Sequence, residues 1–210
     1  MSIEATQHQD PAADQPVGCL YLHGFLSSPA SSKAQETRLW FEQQEPKSRL
    51  LIPELPFEFN DAIALARQQL QQLQQQFETV LVIGSSLGGF YATRLAQDYG
   101  VKAVLVNPAV RPHELFGHYL GPVTHYHSGV EYLLEQRHLT DLATLAVETP
   151  AHPHRLMVLL QTGDETLDYR HAADLYQNCS LNIEEGGDHA YQGYIDHLPS
   201  MLEFARQNSR

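Results

Sequence analysis

The sequence predicts an α/β fold, a compact parallel sheet with helices on both faces. Three observations lead there. Short apolar, β-branched runs without polar alternation recur at 79–83, 101–106 and 156–160, as in strands buried on both faces of a parallel sheet. Helical patterns separate these runs, and strands alternating with helices give parallel strands covered on both sides. The run at 79–83 breaks sharply at Gly84-Ser85-Ser86-Leu87-Gly88 and passes straight into a helical pattern at 90–99, with Tyr91, Leu95 and Tyr99 at helical spacing.

In chain order, residues 1–16 are polar, acidic and proline-containing, with neither a basic leader nor an apolar stretch, so a disordered tail is expected and not a signal peptide. Residues 17–22 form the first strand, ending at His23-Gly24-Phe25, and the polar loop 27–32 leads to a helix at 33–43. A second buried strand at 49–52 is stopped by Pro53 and Pro56, in a segment whose apolar and aromatic side chains could wall a pocket. Asn60 or Asp61 is expected to cap a helix running to Phe77, with Ile63, Leu70, Leu73 and Phe77 on its apolar face and the glutamines of 68–76 on its solvated face. The strand at 101–106 ends at Asn107-Pro108. Regularity then lapses from 109 to 154, where helical patterns are read at 130–138 and 139–146. Regular α/β connections are short, so this stretch reads as a lid-like insertion over one face of the sheet. The strand at 156–160, a helix at 169–177, a last strand at 181–184, the loop 186–189 and a helix at 194–206 complete a single domain spanning 17–210.

Composition excludes several function classes. Thirteen Lys and Arg against twenty-five Asp and Glu give a net charge of −12, a field that repels nucleic acid and anionic membrane surfaces. No apolar run approaches the roughly 20 residues that span a bilayer, so no stable membrane anchor is expected. The two cysteines, Cys19 and Cys179, have no metal-ligand spacing and point to a reducing, cytoplasmic compartment. His125-Tyr126-His127 and His152-Pro153-His154 lack an accompanying carboxylate or thiolate pattern, so no metal is expected. No lysine follows the glycines of 84–89 as a phosphate-binding loop requires, and no cofactor is expected.

The chemistry lies at the strand ends. In a G-x-S-x-G turn the central serine is held at a strained backbone angle, and the residues two before and two after it must be small for strand and helix to pack; Gly84 and Gly88 satisfy this for Ser86 and not for Ser85. A serine hydroxyl needs an imidazole to take its proton, and that imidazole needs a carboxylate on its other nitrogen. The strand at 156–160 leads to Thr162-Gly163-Asp164, and the last strand leads to the glycine loop that presents His189. Ser86, Asp164, His189 is the chain order of the acyl-transfer triads built on such turns. Asp168, Glu165 and Asp188 compete for the acid, Asp168 also reading as a helix cap. His171 and His197 fall within predicted helices, and His23 reads as structural.

Together, Tyr21-Leu22-His23-Gly24-Phe25, Ile83-Gly84-Ser85-Ser86-Leu87-Gly88-Gly89, 106–112, Gln161-Thr162-Gly163-Asp164-Glu165 and 185–190 resemble the α/β-hydrolases, and more closely the small bacterial YqiA-type esterases. The resemblance implies an α/β-hydrolase fold. It implies Ser86 as nucleophile, Asp164 as acid, His189 as base, and the backbone amides of Phe25 and Leu87 as oxyanion hole. The activity it implies is a carboxylesterase-type serine hydrolase acting on a small-molecule acyl ester or thioester. A thioesterase, acyltransferase or peptidase with the same triad, and a non-catalytic interaction module, are the alternatives. The chain starts directly at the strand before His23-Gly24, without the first edge strands of larger hydrolases, so a small sheet is expected.

Overall fold

The computed structural model describes residues 15–207. In order, β1 (Val17–Leu22), α1 (Ser32–Gln44), β2 (Arg49–Leu51), α2 (Phe59–Gln74), β3 (Thr79–Ser85), α3 (Leu87–Tyr99) and β4 (Lys102–Val106) build the first half. They are followed by α4 (Pro112–Leu115), β5 (Gly121–Thr124), β6 (Glu131–Leu134) and α5 (Gln136–Leu145), and then by β7 (Leu156–Gln161), α6 (Tyr169–Leu175), β8 (Ser180–Glu184) and α7 (Leu198–Arg206). Six strands form one parallel sheet in the order β2-β1-β3-β4-β7-β8, and β5 and β6 pair antiparallel as a separate hairpin.

The near-continuous apolar runs have a direct physical cause. Successive side chains of a strand point to opposite faces, and here both faces are covered. Leu20, Leu22, Val80, Val82 and Leu105 pack on one face against α2, α3 and α5 through Ile63, Leu70, Tyr91, Leu95 and Leu142. Cys19, Tyr21, Leu81, Ile83, Val104 and Val106 pack on the other, against Phe41 of α1 and Met201 and Leu202 of α7. The register places Leu22 beside Gly84 and Ser85 beside Val106, so the carboxyl ends of β1, β3 and β4 open onto the same edge.

Two local expectations are corrected. Residues 130–138 do not form a helix: residues 131–134 are β6, and the helix that follows is α5 alone. Val130, Tyr132 and Leu134 alternate at the strand period, and Tyr132 stacks on Phe57 with ring centroids 4.4 Å apart. Neither Asn60 nor Asp61 caps α2, which begins at Phe59, with the Ala62 amide donating to the Glu58 carbonyl at 2.9 Å, and which ends at Gln74, short of Phe77. The tail expected at 1–16 lies outside the described residues except for Gln15 and Pro16; the Gln15 side chain donates to Glu78 at 3.1 Å. Among the described residues no helix is long and apolar enough to cross a membrane.

The closest backbone approaches in the sheet surround the turn after β3. A Cβ added at Gly84 would lie 2.2 Å from the Gly88 carbonyl oxygen, and one at Gly88 would lie 2.0 Å from the carbonyl oxygen of Leu22. Both obstacles are backbone, so neither can swing aside. Gly88→Ala should therefore cost on the order of 3 kcal/mol, through forced overpacking. Urea unfolding followed by circular dichroism should show the midpoint falling, and an unchanged midpoint would mean that β1 and α3 have room to separate.

Candidate active site

Ser86 adopts φ 56°, ψ −121°, a conformation that costs a non-glycine residue energy and persists only where the surroundings enforce it. The enforcement is visible. The Ser86 amide donates to the Val106 carbonyl at 3.0 Å, and the Ser86 carbonyl accepts from the amides of Gly89 at 2.9 Å and Ala109 at 3.0 Å. The turn thus lifts the hydroxyl above the sheet edge. Ser85, the tolerant position, is buried instead and hydrogen-bonds Tyr21.

Across the sheet edge, Ser86 Oγ lies 3.1 Å from His189 Nε2. His189 Nδ1 lies 2.8 and 3.0 Å from the two carboxylate oxygens of Asp164. The Asp164 side chain is 2% exposed, and the imidazole 24%. Burial works to raise the Asp164 carboxyl. The His189 hydrogen bond and the Leu167 and Thr166 amides outweigh it and hold the group below the ordinary carboxylate value. An ionised Asp164 only accepts, so His189 Nδ1 carries the proton and Nε2 presents its lone pair to the serine hydroxyl.

The rival acids have other work. Asp168 caps α6, accepting from the Arg170 amide at 3.0 Å, and pairs with the Arg170 guanidinium, which brings its carboxyl down to about 2. Glu165 accepts the backbone amide of His189 at 3.0 Å, and Asp188 bonds Gln192 at 3.1 Å. His197 faces Glu184 at 3.1 Å, away from Ser86.

Sequence reasoning missed the residues that aim the histidine loop. Asn107, itself at φ 40°, donates to the carbonyls of Asp188 at 3.0 Å and His189 at 3.4 Å, and accepts from the Gln161 amide at 3.0 Å. The buried Gln161 side chain accepts from the amides of Asp188 and Gln192 and donates to the Gln192 carbonyl. Lys33 of α1 donates to the Ala190 carbonyl at 2.7 Å. Burial pushes that ammonium below its ordinary value, against the pull of Asp188, Glu36 and Asp164. Polar residues at strand ends carry no periodic signal; only the buried polar character of Asn107 beside a strand end could have flagged one of them.

Phe25 and Leu87 both line the cavity that holds Ser86. Leu87 is the first residue of α3, where amides lack intrahelical partners. Gly24 is so close to Ser86 that an added Cβ would lie 3.2 Å from the serine Cβ. His23 fixes this loop: its Nδ1 donates to the Gly24 carbonyl at 3.0 Å while Nε2 accepts from the Leu55 amide at 3.1 Å. Burial lowers its pKa against the raising effect of the Gly24 bond, in keeping with a neutral, structural imidazole. Residues between β4 and β7 reach the loop too, the Tyr126 amide donating to the Leu26 carbonyl at 2.9 Å and His125 Nε2 to the Ser27 carbonyl at 2.8 Å.

Ser86 and His189 open into a cavity of about 550 Å³, walled by Leu115, Phe116, Tyr119, Val123 and Tyr126 opposite them. Tyr132 takes no part in that wall. Among the described residues no three His, Cys, Asp or Glu are placed to hold a metal ion.

A parallel sheet whose central strand delivers a strained serine between two small residues defines the α/β-hydrolase fold, as the motifs led us to expect. The chain belongs to the UPF0227 family, described as an uncharacterised protein family, whose model matches residues 18–206. A UPF0227 protein of Shewanella sp. strain ANA-3 is 26% identical over 188 residues, covering 88% of this chain and 97% of its own. Among solved structures, a putative hydrolase from Agrobacterium vitis S4 superposes with a TM-score of 0.71 at 18% identity, over 95% of this chain and 91% of its own. Est1E from Butyrivibrio proteoclasticus with bound ferulic acid gives 0.70 at 14%, over 91% and 88%. At such identities the likeness is one of fold.

The geometry separates the two aspartates. If the triad drives turnover, Asp164→Asn should lower kcat about 10⁴-fold by leaving His189 in the wrong tautomer. Asp168→Asn, which retains a capping side chain, should leave kcat near that of the parent. Ester hydrolysis by both folded variants decides; loss of turnover in Asp168→Asn alone would move the acid to that residue.

Proposed function

We propose that the chain is a serine hydrolase, a carboxylesterase-type enzyme that cleaves carboxylic esters or thioesters through an acyl-enzyme on Ser86. The observation that carries this reading is the unbroken line from Asp164 through His189 to Ser86 Oγ, with contacts of 2.8 and 3.1 Å. In the first step Ser86 Oγ attacks the acyl carbon while His189 Nε2 takes its proton, and the imidazolium is stabilised by Asp164 at Nδ1. The carbonyl oxygen, now negative, lies toward the amides of Phe25 and Leu87. Return of the proton from Nε2 expels the alcohol or thiol. Water, deprotonated at the same nitrogen, then releases the acid and regenerates Ser86. This chemistry draws on no cofactor. The fold neighbours named as hydrolase and esterase are in keeping with it.

In this reading the single domain 17–210 is one catalytic unit, and residues 109–154 act as a lid that shapes the acyl site, because they supply apolar side chains to the cavity of Ser86. A net charge of −12 suits small neutral substrates over polyanions.

Incubation with a fluorophosphonate followed by peptide mass mapping should place a single adduct on Ser86. Ser86→Ala should lose on the order of 10⁶ in kcat toward a short p-nitrophenyl ester, since triad members act as a unit. An adduct on Ser85, or full activity in Ser86→Ala, would overturn the assignment.

A further inference from the structure

Next to the cavity that holds Ser86 is a second one of about 240 Å³. Gly24, Phe25, Leu26, Ser27 and Leu87 line both, so the two cavities meet at the loop after β1 and the start of α3. The far side comes from the segment after β2, with Leu55, Pro56, Phe57 and Phe59, and from Tyr91 of α3 and Tyr132 of β6. Five aromatic side chains thus line a small space adjoining the cavity of Ser86.

The two imidazoles of the lining are hydrogen-bonded at both ring nitrogens. His23 uses one ring nitrogen on the Gly24 carbonyl and the other on the Leu55 amide. His125 donates from Nε2 to the Ser27 carbonyl and accepts at Nδ1 from the amides of His127 at 3.3 Å and Ser128 at 3.2 Å. The Glu54 side chain is 63% exposed and its carboxylate comes within 3.8 Å of His125 Nε2, so the one charge of the lining sits at the rim beside that imidazole. The rings are arranged for one another: Phe57 and Tyr132 stack at 7° between planes, and Phe25 sits tilted against Phe57 at 5.9 Å and Phe59 at 5.7 Å. Aromatic walls at such angles favour a planar guest, which gains offset-stacked and edge-to-face contacts beyond the area it buries. A flexible alkyl chain gains area alone.

We propose that this second cavity is a subsite for a planar aromatic ring carried by the ester, and that the substrates are aryl-bearing esters whose ring enters it while their carbonyl faces Ser86. The assignment of turnover to Ser86 is the reading on which this rests; the pocket's preference for rings stands apart from it. A ring on the acyl side and a ring on the alcohol side offer the same chemistry to the pocket.

The test separates binding from turnover. Ser86→Ala protein, titrated by calorimetry, should bind 4-phenylbutan-2-one about tenfold more tightly than hexan-2-one, and adding Tyr132→Leu should remove most of that difference. Phe57→Leu, on a different element, gives the same reading if the hairpin variant fails to fold. In the wild type, kcat/KM for methyl 3-phenylpropanoate over methyl butanoate reports a ring on the acyl side, and 3-phenylpropyl acetate over butyl acetate one on the alcohol side. One of the two ratios should exceed ten and fall in Tyr132→Leu. Equal binding of the two ketones, tighter binding of phenyltrimethylammonium than of the neutral phenyl ketone, or ester turnover with both ratios near one would overturn the aromatic subsite. Ring binding intact in a protein that turns over no ester would overturn the hydrolase reading while leaving the ring preference of the pocket in place.

Discussion

At Ser86 the backbone turns through φ 56°, ψ −121°, and the neighbouring chain segments are arranged so that it has no alternative. The turn is pinned by four main-chain hydrogen bonds, to β4, to Ala109 after it, and to Gly89 and Phe90 within α3. It is possible at all because residue 88 lacks a side chain: a Cβ there would lie 2.0 Å from the Leu22 carbonyl oxygen of β1. Such a conformation costs of order 1–3 kcal/mol, offset by the burial of β3 and α3 in the two cores. Relaxing the turn would move the hydroxyl and the Leu87 amide together, since they belong to adjacent residues. The position of Ser86 relative to His189 is therefore a property of the sheet as much as of the loop.

The second constraint is electrostatic. A carboxylate with 2% of its side chain exposed is costly unless its lone pairs are occupied, and Asp164 accepts from His189 and from two backbone amides. Those amides belong to the loop between β7 and α6, so the loop folds around the charge that orients the imidazole. Asn107 and Gln161 do the same for the histidine side, reaching from the ends of β4 and β7 to the loop after β8. The result is an imidazole held at both nitrogens, on a loop tied to the ends of β4 and β7.

Much of this was readable from residue order. Strands buried on both faces leave unbroken apolar runs, and residues 17–22 appear in the structure with those bounds because nothing polar interrupts them. The glycines flanking Ser86 are legible because only the absence of a Cβ meets a steric demand of that size. The hairpin at 121–134 was not legible: Val130 and Leu134 are four apart, so a short strand and one turn of helix give the same apolar spacing. As a strand β6 pairs with β5, and its Tyr132 stacks on Phe57, far away in sequence. Likewise Asn107 shows locally only a polar residue beside a strand end, because its partner loop lies 81 residues on. What depends on distant partners was hidden, and what depends on local sterics or two-sided burial was not.

The central claim is that Ser86 carries the acyl group while the amides of Phe25 and Leu87 hold the oxygen. The most direct measurement is a crystal structure of the protein inactivated by a small alkyl phosphonate. The account predicts a phosphorus bonded to Ser86 Oγ, with the phosphoryl oxygen within about 3.1 Å of both amides and His189 Nε2 still facing Oγ. A phosphoryl oxygen turned toward other donors, or phosphorus on another residue, would contradict it.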